Sequence, residues 1–202
     1  MNIEAQGQDK KFYTVGMDLA TIMMGAFDIH IFGTPGLVRF KIMRDVIVSG
    51  VDGIIFLFDV ANAESDKEAM IILAEINKLT KHDTPIVYCG NKQDLKTVSE
   101  KEVKNRFKLP NDAQIFLTSC INGKTKQIEE CLKHVVNEIF NKHKNTLKVM
   151  RDYENDIKGL SIKLKKNREQ MRDLLNAFEV KRFIEIDRPN KTYKVKEGLK
   201  NI

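Results

Sequence analysis

A chain of 202 residues, 42% of them hydrophobic, is long enough to bury a core of ordinary domain size. No apolar run exceeds a few residues, which excludes a membrane-spanning helix, and the opening MNIEAQGQDKK has no apolar stretch of signal-peptide type. The net charge of +6 is unevenly placed: residues 1–145 carry 19 Lys+Arg against 19 Asp+Glu, whereas 146–202 carry 15 against 9. A neutral body followed by a basic tail predicts two units, 1–145 and 146–202. Cys89, Cys120 and Cys131 form no C-x-x-C pair, and His30, His82, His134 and His143 lie at no ligand spacing from them. These thiols predict a reducing, cytoplasmic setting rather than a disulfide or zinc framework.

Along the chain, residues 1–13 show neither a strand pattern nor a glycine-rich turn. MDLATIMM (17–24) and FDIHIF (27–32) are strand-like, joined by a tight turn at Gly25-Ala26. GTPG (33–36) ends the second strand, and a helix-period stretch runs to about Ser49. GIIFLFDV (53–60) is a continuous apolar run of the kind a strand covered on both faces shows. Residues 65–81 predict a helix with a capping box of Ser65 and Glu68. PIVYCG (85–90) is a second buried strand, Ser99 and Glu102 cap a short helix ending near Pro110, and AQIFLTS (113–119) is a third strand. A helix over 125–144 carries Ile128, Cys131, Leu132, Val135, Ile139 and Phe140 on one stripe.

Strand–helix alternation with short loops implies an α/β fold, a mainly parallel sheet with helices on both faces, to which the 17–32 hairpin adds an antiparallel edge. In such sheets ligands lie off the carboxyl ends of the strands. The informative residues are therefore GTPG after 32, Asp59, Asn91-Lys92-Gln93-Asp94 after 90, and Ser119-Cys120 after 118. The tetrapeptide at 91–94 has a specific chemistry. A carboxylate in the base plane accepts two hydrogen bonds from the N1–H and 2-amino group of guanine, and adenine would leave it unpaired. Asn91 suits N7, and the Lys92 stem suits the face of the base.

The ordered set TVGMD (14–18), GTPGLVRF (33–40), NKQD (91–94) and TSC (118–120) resembles the Ras-like small GTPases over residues 14–144. Within them it is most similar to the prokaryotic MglA-like group, related to the signal recognition particle receptor beta subunit, which often carries glycine where D-x-x-G has its aspartate, as Gly33 does here. The resemblance implies a P-loop-NTPase-type fold and a switch that binds GTP or GDP with Mg²⁺. It implies that Thr14 ligates Mg²⁺ beside the γ-phosphate and that the Gly36 amide meets that phosphate. Asn91, Lys92 and Asp94 then read the base, and Ser119 and Cys120 stand on the S-A-K motif, with Ile121 in place of its lysine. A roadblock-fold regulatory protein is the partner implied by the same likeness.

Two departures stand out. Leu37 occupies the position of the water-orienting glutamine, which predicts slow hydrolysis and leaves no catalytic residue to name. No G-x-x-x-x-G-K-[ST] loop occurs in the chain, so the expected fold lacks its first, central strand, between those at 27–32 and 53–60. A truncated gene model or fragment explains that gap better than a natural chain without the loop. A non-catalytic pseudo-GTPase scaffold is the alternative.

In the tail, residues 146–182 are helical in pattern, with interruptions expected at Gly159 and Asn167. RFIEID (182–187), RPNK and TYKVKEGL (192–199) predict a hairpin. Helices followed by a basic hairpin resemble the end of a winged-helix module, with 168–182 as recognition helix and Arg188–Lys191 as wing tip. This α+β extension could bind nucleic acid, or it could be a docking appendage with a solvated charged face. No aromatic interleaving of the single-strand-binding kind accompanies the charges.

Overall fold

The computed structural model describes residues 2–4, 12–14, 16–24, 27–80, 83–121 and 126–196. Two compact units emerge, one of residues 1–19 and 32–139, the other of 20–31 and 140–202.

The first unit is built on a parallel sheet of β5 (Ile54–Asp59), β6 (Ile86–Asn91) and β7 (Ile115–Leu117), in that order. Helices α2 (Asp66–Leu79) and α3 (Glu100–Phe107) make the two crossovers. Phe56, Phe58 and Tyr88 pack with Ile72, Leu73, Ile76, Val103 and Phe107 from these helices. Because side chains alternate along a strand, Val87 and Cys89 of β6 point the other way. They meet Cys131 and Val135 of the long helix α4 (Lys126–Asp152). Burying each large apolar side chain contributes about 1.5–3 kcal/mol.

Preceding the sheet are β1 (Asn2–Glu4) and β2 (Phe12–Thr14), paired antiparallel with Asn2 opposite Thr14. Two short strands therefore lie where no strand pattern was expected. Three residues are too few for periodicity to register. The next hairpin, β3 (Asp18–Met24) and β4 (Phe27–Gly33), forms as expected, but as a two-stranded sheet of its own rather than an edge of the parallel one. The turn at Gly25-Ala26 lies outside the described residues. A 3₁₀ turn (Val38–Phe40) leads into α1 (Lys41–Val48).

Several expectations change in detail. The apolar run of β5 is covered on one face only, since Ile55 and Leu57 are 38% and 62% exposed. Ser65 does not cap α2: it sits in a 3₁₀ turn (Ala63–Ser65) whose cap is Asn62, and Glu68 accepts from the Val38 amide at 3.1 Å. Ser99 does cap α3, its Oγ accepting from the Glu102 amide at 3.2 Å. Helix α4 does not stop at 144 but continues to Asp152, and the two units divide within it.

The second unit holds the C-terminal turns of α4 with α5 (Ile157–Lys163), α6 (Arg168–Val180) and an antiparallel hairpin of β8 (Ile184–Asp187) and β9 (Thr192–Val195). Gly159 does not interrupt a helix. It lies in the first turn of α5, where its amide donates to the Asp156 cap at 2.8 Å and a Cβ would collide with that carboxylate. Asn167 does separate two helices, forming a complete capping box with Gln170. Leu147, Met150, Leu160, Met171, Phe178, Phe183 and Tyr193 make the core, and the Tyr193 hydroxyl donates to the Met150 carbonyl at 2.5 Å.

Gly90, the residue before Asn91, is held to glycine by packing. A Cβ there would lie 2.8 Å from Val60 Cγ1 and 3.1 Å from Leu117 Cδ2, and Val60 is fully buried. Gly90→Ala should cost about 1–3 kcal/mol in urea unfolding. A change under about 0.5 kcal/mol would mean that Val60 yields without cost.

Candidate functional site

The parallel register brings three strand ends to one level. Asp59 closes β5 directly opposite Asn91 at the end of β6, and Gly90 faces Leu117, which precedes Thr118, Ser119 and Cys120. Asp59 Oδ1 accepts from the Ala61 amide at 2.8 Å, and Oδ2 pairs with Lys92 Nζ at 2.7 Å. Burial opposes ionisation of Asp59, but the hydrogen bonds from Lys92, Ala61 and Asn62 outweigh it and hold the carboxyl below its ordinary range. Lys92 adopts a left-handed backbone (φ 72°), and its carbonyl accepts from the amides of Leu95 and Lys96 at 3.0 and 3.3 Å. Gln93 ties the same loop down: its amide donates to the Thr118 carbonyl at 3.1 Å, and its Oε1 accepts from the Val98 amide at 3.2 Å.

Asn91 and Asp94 are oriented from the β7 side. Thr118 Oγ1 donates to Asn91 Oδ1 at 3.3 Å, and Cys120 Sγ approaches the same oxygen at 3.5 Å. That leaves the Asn91 Nδ2 group as the donor available for a ligand. The Ser119 hydroxyl donates to Asp94 Oδ1 at 2.5 Å. Ser119 is buried and Asp94 exposed, so a supported carboxylate stands at an open edge. Five of the expected residues, Asn91, Lys92, Asp94, Ser119 and Cys120, thus converge.

The residues expected on the phosphate side, Thr14 and Gly36, are not joined to this cluster by any described hydrogen bond. Thr14 is described only as backbone, in β2. Gly36 is exposed, and a Cβ there would meet nothing within 4 Å, so packing does not demand glycine. Leu37 is half-buried and extended (φ −89°, ψ 140°). Its carbonyl accepts from the Phe40 amide at 3.0 Å and from a buried guanidinium. Arg44, 2% exposed, donates from Nη1 to the carbonyls of Pro35 and Leu37 at 3.1 and 2.6 Å, and from Nη2 to that of Val38 at 3.3 Å. Nη2 also pairs with Glu75 Oε2 at 2.9 Å. Arg44 and Glu75 are the residues sequence reading missed, and Glu68, expected in a cap of α2, holds the Val38 amide instead. The available signal was a charge at position 44, one helical turn before buried Val48 on the inward stripe of α1.

The Ras family's sequence model matches residues 3–141, more than half of the chain. The chain belongs to the Ras family. It is 25% identical over 148 residues to the Ras-related protein Rab-4A of Bos taurus, covering 69% of this chain and 66% of that one. To the GTP-binding protein ypt4 of Schizosaccharomyces pombe it is 25% identical over 149 residues, covering 68% and 63%. With the GTP-binding protein YPT1 of Saccharomyces cerevisiae the figures are 30% over 123 residues, 60% and 57%. In each case the chain spans less than two thirds of the relative's length. No described helix of this Ras-family chain is long and apolar enough to cross a membrane.

The Asp59–Lys92 pair gives a pH test. The folded carboxyl titrates below its ordinary 3.8, so its contribution is present above that value and lost as pH falls through the folded one. At pH 7, Asp59→Asn should lower stability by up to about 1 kcal/mol, a few degrees in Tm. The gap between wild type and variant should close below pH 3.8. A gap that is constant with pH would show that the pairing adds nothing.

Proposed function

We propose that this Ras-family chain supplies the guanine-reading half of a nucleotide-dependent switch. The carrying observation is Asp94, its Oδ1 held by Ser119 at 2.5 Å and its other oxygen at an exposed edge beside Asn91. Guanine offers that carboxylate two donors, and adenine would leave it unsatisfied. The Asn91 amide group serves N7, the Lys92 stem covers the base, and the backbone at Ser119-Cys120 meets O6. The ligand is GTP or GDP. On the phosphate side, Thr14 and Gly36 would meet Mg²⁺ and the γ-phosphate, and a strand ending in a glycine-rich loop would pair with the outer edge of β5. Supporting that placement, β5 is paired with β6 alone among the described residues. Leu37 offers no group to orient water, so turnover is slow. The reading extends to the MglA-like branch, supported by Gly33 at the position of the D-x-x-G aspartate, and with it to a roadblock-fold regulator as partner.

Nuclear magnetic resonance titration of the chain as it stands tests this reading. Phosphate contacts give P-loop proteins most of their affinity, so binding should be weak, with Kd about millimolar. GDP should shift the amides of 91–94 and 118–121, and ADP should not. Asp94→Asn removes hydrogen bonds to a charged acceptor worth about 1.5–3 kcal/mol, a loss of roughly ten- to a hundredfold. Equal shifts from ADP and GDP would sink the guanine reading.

A second reading, a scaffold acting through its tail, is favoured by one observation. Helices α5 and α6 followed by a hairpin reproduce the expected helix–helix–wing order, with the turn at Arg188–Lys191. The exposed face of α6 mixes Arg168 and Arg172 with Glu169 and Asp173, and Arg188 is engaged by Glu179 at 2.6 and 3.0 Å. That balance suits a docked protein better than a phosphate backbone. Fluorescence anisotropy with duplex DNA should therefore show binding no tighter than the non-specific range, about 10⁻⁴–10⁻⁶ M, at physiological salt. Submicromolar binding with a steep salt dependence would instead make the tail a nucleic-acid module.

A further inference from the structure

Residues 157–168 hold four lysines and one arginine with no Asp or Glu among them, a third of the tail's fifteen cations in twelve residues. The stretch is α5 and its link into α6, within the second unit. Helix α5 turns Ile157, Leu160 and Leu164 toward the core, so the opposite stripe, with Lys158 and Ile162 one turn apart, faces out. Lys158, Lys163, Lys165 and Arg168 are exposed and Lys166 is half-buried. Ile162, 80% exposed, stands among them. None of the five cations has an ion pair among the described residues. The link is held by its own backbone. The amides of Lys165 and Lys166 donate to the carbonyls of Ile162 and Ser161 at 3.1 and 3.0 Å, and the Ser161 hydroxyl donates to the Lys166 carbonyl at 2.6 Å. Lys165 takes the left-handed conformation (φ 52°) that closes such a helix end, and Asn167 then caps α6. Little backbone order is left for a partner to impose.

We propose that this α5–α6 corner docks the chain on an anionic lipid bilayer, with its cations against the headgroups and Ile162 at the boundary with the acyl chains. Charge and apolar surface ask for that partner together. Clustered lysines without counter-charges are drawn to any polyanion, and each adds to the attraction within a Debye length of the surface. An exposed isoleucine gains nothing from a nucleic-acid backbone or an acidic peptide chain, both of which leave it in water. A bilayer takes it out of water, while the flanking lysines lay their methylene stems along the boundary and keep their ammonium groups among the headgroups. Elsewhere in the unit cations are matched: Arg188 pairs with Glu179, Arg182 with Asp28, and Arg172 lies 3.8 Å from Asp173. The uncompensated charge is thus concentrated where the apolar side chain stands. One isoleucine and five cations make a peripheral contact, reversible and sensitive to salt. The surface is separate from the 91–94 and 118–120 edge and does not depend on the guanine reading.

Flotation of the full chain with lipid vesicles tests this, alongside anisotropy measurements with duplex DNA and with polyglutamate. Vesicles of phosphatidylcholine containing phosphatidylserine should retain the chain, and phosphatidylcholine alone should not. Raising salt from about 0.1 to 0.5 M should release most of it. The triple variant Lys163→Gln, Lys165→Gln, Lys166→Gln should bind about a hundredfold more weakly. Ile162→Ser should lose about tenfold. Both should unfold at the wild-type temperature, because none of these side chains belongs to the core. Removing three cations elsewhere in the unit, by Arg172→Gln, Lys191→Gln and Lys194→Gln, should cost less than about threefold. Equal losses from the two triple variants would overturn the assignment to this corner. The lipid partner would be overturned if Ile162→Ser bound phosphatidylserine vesicles like the wild type, or if DNA or polyglutamate bound more tightly than the vesicles.

Discussion

The parallel register of β5, β6 and β7 is the constraint on which the rest of the first unit depends. With Asp59 opposite Asn91 and Gly90 opposite Leu117, three strands end level, and their next residues can share hydrogen bonds. A slip of one residue would turn Val87 and Cys89 toward α2 and Tyr88 toward α4, exchanging the two core faces. It would also separate Lys92 from Asp59 and Thr118 from Asn91. Gly90 makes the register compatible with packing, because the close approach of Val60 and Leu117 leaves no volume for a side chain between them. The site is therefore a consequence of how the core fits. Its polar groups decorate an edge whose position apolar contacts have set.

The loop before α1 is organised by the opposite kind of interaction, a buried charge. Taking a guanidinium out of water is costly unless its donors are satisfied. Arg44 meets that condition with Glu75 and three carbonyls of residues 35–38, leaving only Nε without a partner among the described residues. A hydrophobic residue of the same volume could fill the space but could not gather those three carbonyls. Glu68, holding the Val38 amide, adds a second tie from α2. The cost of burying Arg44 is thus offset by bonds that define the backbone of a loop with little core of its own. Leu37 fits this picture, since the position contributes its carbonyl to the clamp.

Much of this was legible in the sequence, and what was not has physical causes. The strand–helix alternation, the 91–94 loop and the helices and hairpin of the tail are encoded locally, by periodicity and turn chemistry, and they could be placed. Burial on one face of β5 could not, because an apolar run looks the same whether one or two layers cover it. The Ser65–Glu68 capping signature failed because Asn62 offered an earlier cap and Glu68 had a tertiary partner 30 residues away. Helix α4 outran the composition boundary at 145 because charge content does not stop a helix, whereas a cap or a glycine at its end does. Gly159 was misjudged because propensity treats glycine as a breaker, yet in the first turn of α5 its amide is held by the Asp156 cap and the helix runs on through it. In each case tertiary context decided between local options that the sequence left equal.

The two halves of the proposed nucleotide site differ in how they are held, and that difference explains why one was easier to see. Base recognition needs groups fixed in a plane, and the residues proposed for it are fixed by neighbours within the sheet edge: Asp94 by Ser119, Asn91 by Thr118, and the loop by Gln93. Such a cluster is preorganised without a ligand, so its residues find their places as the core forms. Phosphate recognition draws on backbone amides and a charged or metal partner, whose arrangement is completed by the ligand itself. Gly36 accordingly has free space around it and no packing reason to be glycine. A residue whose identity is set by a future contact leaves no mark on the fold, whereas one set by an existing contact does. The order of the 91–94 and 118–120 edge can therefore be seen in its hydrogen bonds, while the proposed role of Gly36 rests on the chemistry of what it would meet.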